Sequence, residues 1–291
     1  TDILDLVGVD FGYNLSDFNL SRPEDSFLSN APSTQYANLD DYGTLSLLAP
    51  NDILSYITLT YIDSTGSQIG TEDIDRLTIN GAYDGYNGYI GMELLYFGCF
   101  PANLQNWSTT FKALVTAGTI QGGSIVIQPF NDSSIEISQQ YTINLNCPTL
   151  KGFEPIRLTW LNQWGVWDYY TFNMKSTKMI STKGSTYQQI EGTWNESVYQ
   201  INGFKGGKKA FRVNATEKIT MNTGFVNESE SEWFEELINS PEVYILKGYN
   251  DVVETSSALN QYVTPVRLTT SSFTKKTVAN DKLMQYTFEV E

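Results

Sequence analysis

The sequence predicts a mainly β protein with one or two helices, between all-β and α+β, arranged as two β-sandwich-like domains. Three observations carry that expectation. Aromatic residues are plentiful, with 18 Tyr and 15 Phe, and Thr and Ser are frequent, a composition that favours strands. Short runs of alternating polar and apolar residues recur between clusters of Gly, Asn, Asp, Ser and Pro. The charge also breaks near the middle: residues 1–150 hold three cations against 17 acids, and residues 151–291 hold 15 cations against 16 acids. A chain of 291 residues accommodates two domains of ordinary size.

Residues 1–36 read as an extended N-terminal arm, lying along a neighbour or equally forming a covered edge segment of its own domain, with prolines among turn formers at Arg22–Asp25 and Asn30–Ser33. Strand patterns follow at Thr44–Leu48, Tyr56–Asp63 and Ser67–Gly70, with Asp63–Gly66 as the hairpin turn between the last two. The stretch Tyr83–Tyr89 (YDGYNGY) is a Gly/Asn/Asp loop bearing Tyr83, Tyr86 and Tyr89: an ordinary turn first, then a contact surface suited to stacking on a sugar, and last a calcium site at Asp84 and Asn87, for which the full loop spacing is missing. The apolar run Ile90–Phe100 predicts a buried strand. Leu104, Trp107, Phe111, Leu114 and Val115 fall near helical spacing, and Gly118 stands where a helix would stop. Ser124–Pro129 and Glu136–Asn146 return to strand alternation.

The second half opens on RLTWLNQWGVWDYYTF, Arg157–Phe172, which contains three of the six tryptophans. Alternation predicts two strands around a turn at Gly165, a hairpin whose structural aromatic cluster is Trp160, Trp164, Trp167 and Phe172. Further strands are predicted at Tyr170–Lys175, Lys178–Ser181 and Thr186–Gln189, with Thr182–Ser185 as a turn. Gly206-Gly207, flanked by Lys205, Lys208 and Lys209, reads as a solvated hairpin tip, and Phe211–Ala215 and Lys218–Thr223 as strands. One helix is strongly signalled near 228–239. Asn227 caps it, Glu230 completes a capping box, and Trp233, Phe234, Leu237 and Ile238 form one apolar stripe. Glu242–Leu246, Thr264–Thr270 and Lys282–Val290 close the chain as strands, with Met284, Tyr286, Phe288 and Val290 on one face.

Histidine is absent, which removes the commonest general base and metal ligand. No metal or cofactor is expected. Cys99 and Cys147 are too few for a zinc cluster or a disulfide framework, and they read as two reduced thiols or as one bridge. No run of about 18 apolar residues suggests a membrane span, and the N-terminus shows no signal-peptide pattern. The acidic half disfavours nucleic acid as a partner. Seven Asn-x-Ser/Thr triplets occur, as expected by chance in so Asn-, Ser- and Thr-rich a chain. The expectation is that the protein is not an enzyme. Asp168, set among the aromatic residues, is the one carboxylate to test, and its other reading is a hairpin residue bonded to the turn.

Three segments resemble a family of virion structural proteins from tailed bacteriophages. They are WLNQWGVWDYYTF at Trp160–Phe172, TGFVNESESEWFEELINSPEVYIL at Thr223–Leu246, and PVRLTTSSFTKKTVANDKLMQYTFEVE at Pro265–Glu291. The likeness covers residues 151–291 and carries no catalytic residue. It implies a β-rich assembly module over 151–291, following an acidic β-rich domain over 1–150. It further implies a tail, neck or baseplate component located in the virion and assembled in the host bacterial cytoplasm. Its partners would be copies of itself and other virion proteins, the isolated chain being monomeric or weakly associated. The alternative is a receptor- or carbohydrate-binding module displayed on the tail, with a host-surface glycan as partner.

Overall fold

The computed structural model describes residues 27–50, 54–75, 92–146, 152–193, 197–201, 206–247, 262–270, 272 and 284–291. Strands dominate these residues, grouped in several sheets with three helices among them. Most of the expected N-terminal arm, the Tyr83–Tyr89 loop and Cys147 lie outside the described residues.

The first half builds a five-stranded sheet from β1 (Thr34–Ala37), β3 (Tyr56–Ile62), β4 (Gln68–Asp75), β6 (Ser124–Phe130) and β7 (Tyr141–Leu145), in the order β1-β7-β6-β3-β4. Only the β1–β7 pairing is parallel. Period-two alternation buries Ile57, Leu59 and Tyr61 of β3 beside Ile125 and Ile127 of β6 and Ile143 of β7. A second, two-stranded sheet of β2 (Leu45–Pro50) and β5 (Met92–Phe97) contributes Leu45, Leu47 and Phe97 to the same core. Both sheets share this core with Leu104 and Phe111 of the helical segment between β5 and β6.

The single helix expected around Leu104–Val115 is two helices. The first, α1 (Pro101–Trp107), ends at Ser108, which has extended backbone, and α2 (Thr109–Ala117) begins immediately after it. The Ser108 hydroxyl accepts from the Phe111 N–H and so caps α2, while the Ser108 N–H donates to the Leu104 carbonyl. Spacing alone continued across this break because Leu104 and Phe111 are both buried on the same core. Gly118 stops α2 at φ 72°, as expected.

The second half centres on a four-stranded antiparallel sheet, β13-β12-β8-β9, made of β8 (Ile156–Leu161), β9 (Trp167–Phe172), β12 (Val243–Leu246) and β13 (Val263–Val266). Helix α3 (Glu228–Asn239) starts in the expected capping box: the Asn227 side chain accepts from the Glu230 N–H, and the Glu230 carboxylate accepts from the Asn227 N–H. Trp233, Phe234 and Leu237 drive into a core formed with Leu158 and Trp160 of β8, Phe172 of β9, and Phe288 and Val290 of β14 (Thr287–Val290). Met284 and Tyr286 enter the same core, completing the expected one-sided stripe.

The two remaining strands overturn a local expectation. Residues 182–185 make no turn. Instead β10 (Ser176–Gln189) runs unbroken for 14 residues, paired with β11 (Gly207–Asn222), which runs for 16 and absorbs both strands expected within it. Thr182, Lys183, Gly184 and Ser185 face Ala215, Asn214, Val213 and Arg212 across the ladder. Cross-strand hydrogen bonds from a distant partner thus outweigh the turn preference of Lys-Gly-Ser. The chain reverses farther out, where Gly192 bridges Ile201 and Gly207 takes φ 91°. In the first half, β7 takes only Tyr141–Leu145 of the expected Glu136–Asn146, because residues 136–138 fold back on the end of β6 instead, with Glu136 bridging Phe130 and the Ile137 N–H donating to the Pro129 carbonyl.

Candidate assembly interface

Two β-hairpins bear on function, one buried and one exposed. In the buried hairpin, β8–β9, nearly every residue is covered on both faces. One face meets α3 and β14: Trp160 packs at 4.9 Å from Trp233, and Phe172 at 5.8 Å from Phe288, measured between ring centroids. The other face meets the first half through Arg157. Its guanidinium lies between the Phe100 and Tyr169 rings, 4.8 and 5.2 Å from their centroids. Arg157 Nε donates to the Tyr42 carbonyl at 2.7 Å, Nη1 donates to Thr171 Oγ1 at 2.8 Å, and Nη1 stands 3.3 Å from Asp41 Oδ2. Thr171 donates in turn to the same Asp41 oxygen at 2.7 Å. Gly43 makes this approach possible, because a Cβ there would come within 2.9 Å of Arg157 Nη2 and 2.7 Å of the Phe100 ring.

The aromatic cluster expected in this hairpin therefore divides. Trp160 and Phe172 share the second core. Trp164, in the turn, packs on Leu28 and Val166, and its N–H donates to Asn162 Oδ1. Trp167 lies opposite Leu161 on the far face of the sheet and is half-buried, edge-on to Tyr244 at 5.6 Å. Alternation explains the split, since Trp167 shares the parity of Tyr169 and Thr171 and not that of Phe172.

Asp168 is buried among structural partners. It accepts from Ser29 Oγ and from Trp233 Nε1, both at 2.7 Å. Burial pushes its carboxyl up to about 6, against the hydrogen bonds from Ser29, Trp233 and Asn162 that favour the charged form. Nearby Glu236, on α3, is pushed up to about 7 by burial and then by the Asp168 charge, while it accepts from Asn30 Nδ2. Asn162 Nδ2 donates to the Leu28 carbonyl at 2.9 Å. Asp168, Glu236 and Asn162 thus hold the strap 28–30 against the second half, while neighbouring Phe27 sits in the first core. The arrangement clamps two cores together. Ser29 and Asn30 of the strap donate to Asp168 and Glu236 respectively.

Between the halves lies a cleft of about 750 Å³, bordered by Asp40, Tyr42, Glu154, Lys178, Lys247 and Glu291. Its walls carry both signs of charge, and Lys178 Nζ is tied to both Glu154 oxygens at 2.8 Å. Among the described residues no group of three or more Asp, Glu or Cys is placed to hold a metal ion, and no helix is long and apolar enough to cross a membrane.

The exposed hairpin is of another kind. Residues 177–188 of β10 and 207–215 of β11 are exposed on both faces. At about 3.3 Å per residue, a strand of this length reaches roughly 50 Å, so the pair forms a ribbon that leaves the body. Only its base is covered, where Ile219–Asn222 pair with β14. Among the described residues, nine of the fifteen exposed large hydrophobic ones sit on this ribbon and its tip, among them Ile180, Tyr187, Ile201, Phe211 and Val213. Isolated exposed apolar residues are ordinary, but here they are concentrated on one thin element. Phe211, the most exposed at 79%, is the extra residue of a bulge opposite Ser185 and Thr186. At the tip the Tyr199 ring lies over Gly192, where a side chain would collide with it.

None of these ribbon residues stands out in the sequence. Over 175–222 the available signal is eight Lys and Arg against three acids, in a chain whose net charge is −15. The expected contact residues Tyr83, Tyr86 and Tyr89 lie outside the described residues. Neither protein-family models nor curated proteins give any match to this chain.

Proposed function

We propose that this protein is a structural component of a tailed-phage virion, in the tail, neck or baseplate, which acts by multi-copy protein–protein assembly. The observation that carries this reading is the ribbon: a long two-stranded arm, apolar and uncovered on a body that is otherwise well packed. An arm of this kind gains little for the fold of its own chain. It becomes useful when it lies on a neighbour, and repetition around a ring multiplies each weak contact. The likeness of residues 151–291 to phage virion proteins supplies the setting, with assembly in the host cytoplasm and other virion proteins as partners.

Purified phage particles, tested by mass spectrometry and electron-microscopic reconstruction, provide the experiment. The expected result is this chain in several symmetry-related copies with its ribbon against an adjacent subunit. Absence of the chain from the particle would overturn the reading.

A further inference from the structure

We infer that the basic face of the ribbon docks on the acidic first half of a second copy of this chain, in a head-to-tail contact; the inference rests on the assembly reading above. The ladder pairs Lys183 with Asn214, Ser185 with Arg212, and Tyr187 with Lys209, so Lys183, Tyr187, Lys209 and Arg212 share one face. All four are exposed. The one acid within β10 and β11 is Glu217, which lies opposite Ile180 on the other face, together with Val213. One side of the ribbon therefore carries Lys183, Lys209 and Arg212 with no acid, whereas the other carries Lys178 and Lys208 beside Glu217, among Ile180, Val213 and polar residues.

The complementary surface is the first half. Among described residues 27–146 Lys112 is the single cation, against exposed Asp40, Asp73, Asp75, Asp132 and Glu136. Asp73 and Asp75 stand on the same face of β4, which is an edge strand of its sheet among the described residues. Alternate residues on a strand are about 7 Å apart, close to the diagonal spacing between Lys183 and Arg212 on the ribbon. The molecule does not satisfy this match within itself, because both ribbon faces are open to solvent. A polyanion such as nucleic acid suits the ribbon alone but not a chain of net charge −15, whose acidic body repels it. A second copy carries the same net charge but concentrates it in its first half, three cations against 17 acids, so it offers the ribbon an acidic patch on a folded surface. Because the two contact patches differ, the contact is heterologous, and repetition closes into a ring or extends as a filament.

The test uses the full-length chain and two charge-reversed forms. One carries K183E, K209E and R212E; the other carries D73K and D75K. All five positions are exposed, and thermal unfolding confirms that each form folds. Sedimentation velocity is run at low and high salt, with duplex DNA as a separate probe. The wild type is expected to self-associate at low salt, weakening on the order of tenfold or more as added salt screens the contact. Each reversed form alone loses association, and an equimolar mixture of the two regains it, since each ribbon then meets an oppositely charged partner. No regain on mixing, or self-association indifferent to salt and to both reversals, overturns the inference. So does a wild type that stays monomeric at every ionic strength, and so does DNA binding that disappears with the ribbon reversal. In each of those cases the assembly reading stands or falls separately, on whether the chain is found in the particle.

Discussion

The protein contains two long-range hairpins that differ in almost every physical respect. In β8–β9 both faces are covered, one by α3 and the other by the first half. In β10–β11 both faces are bare for most of their length. The buried hairpin concentrates rings, a desolvated ion pair and a buried carboxylate. The exposed one carries isoleucine, valine, phenylalanine and lysine that touch little of their own chain. The first hairpin holds the two halves of one molecule together; under the proposed function, the second is left for another molecule.

Breaking the buried hairpin should cost most. Arg157→Ala leaves Asp41 buried without its cation and removes the packing between Phe100 and Tyr169. A loss of about 3–5 kcal/mol is expected in urea unfolding. Trp233→Ala empties the space against Trp160 and deprives Asp168 of a donor, with an expected loss of similar size, about 3–5 kcal/mol. If either variant unfolded at the wild-type urea midpoint, the seam would not be what joins the halves.

The carboxylates that hold the strap predict a pH dependence. Burial raises Asp168 to about 6 and Glu236 to about 7, above their ordinary values of 3.8 and 4.5. Between those ordinary values and the folded ones, the folded protein holds protons that the unfolded chain has released. Stability is therefore gained as pH falls from about 7.5 towards about 5, and lost as it rises back through that window. The gain is on the order of 2 kcal/mol, after allowance for the partial exposure of Glu236. Calorimetry across this range should show Tm rising on acidification, and Glu236→Gln should flatten the slope. A slope unchanged by Glu236→Gln would remove the strap carboxylates from the explanation.

Smaller effects sharpen the comparison. Asn227→Ala removes the cap of α3 and should cost about 1 kcal/mol. On the ribbon, Phe211→Ser and Val213→Ser should change stability by less than about 0.5 kcal/mol, because neither side chain is packed. If they proved as costly as a core substitution, the ribbon would belong to the fold of its own chain.

Local signals were legible in the sequence and distant ones were not. The Asp63–Gly66 turn, the Asn227–Glu230 capping box and the Met284–Val290 stripe each depend on residues within a few positions, and each forms as expected. The interruption at Ser108 hid behind two buried residues of correct spacing. The ribbon was misread because an exposed strand pair has no hydrophobic period to announce it, and Lys-Gly-Ser resembles a turn until its partner strand is known. Asp168 was visible as a lone carboxylate among rings. Ser29, Asn30 and Glu236, which explain its burial, lie 65 or more residues away or across the chain, and no local pattern links them. Trp167 shows the limit of composition: its ring was countable, but only register revealed which face it occupies.

The central claim is that the buried hairpin makes the molecule and the exposed hairpin joins it to others. Replacing residues 181–216 by Asn-Gly tests it most directly, because Ile180 and Glu217 already face each other across the ladder and can be closed by a two-residue turn. The shortened chain should unfold within about 2 °C of the wild type and yet fail to enter assembled particles when it is the sole copy supplied. A shortened chain that enters particles as efficiently as the wild type would contradict the account.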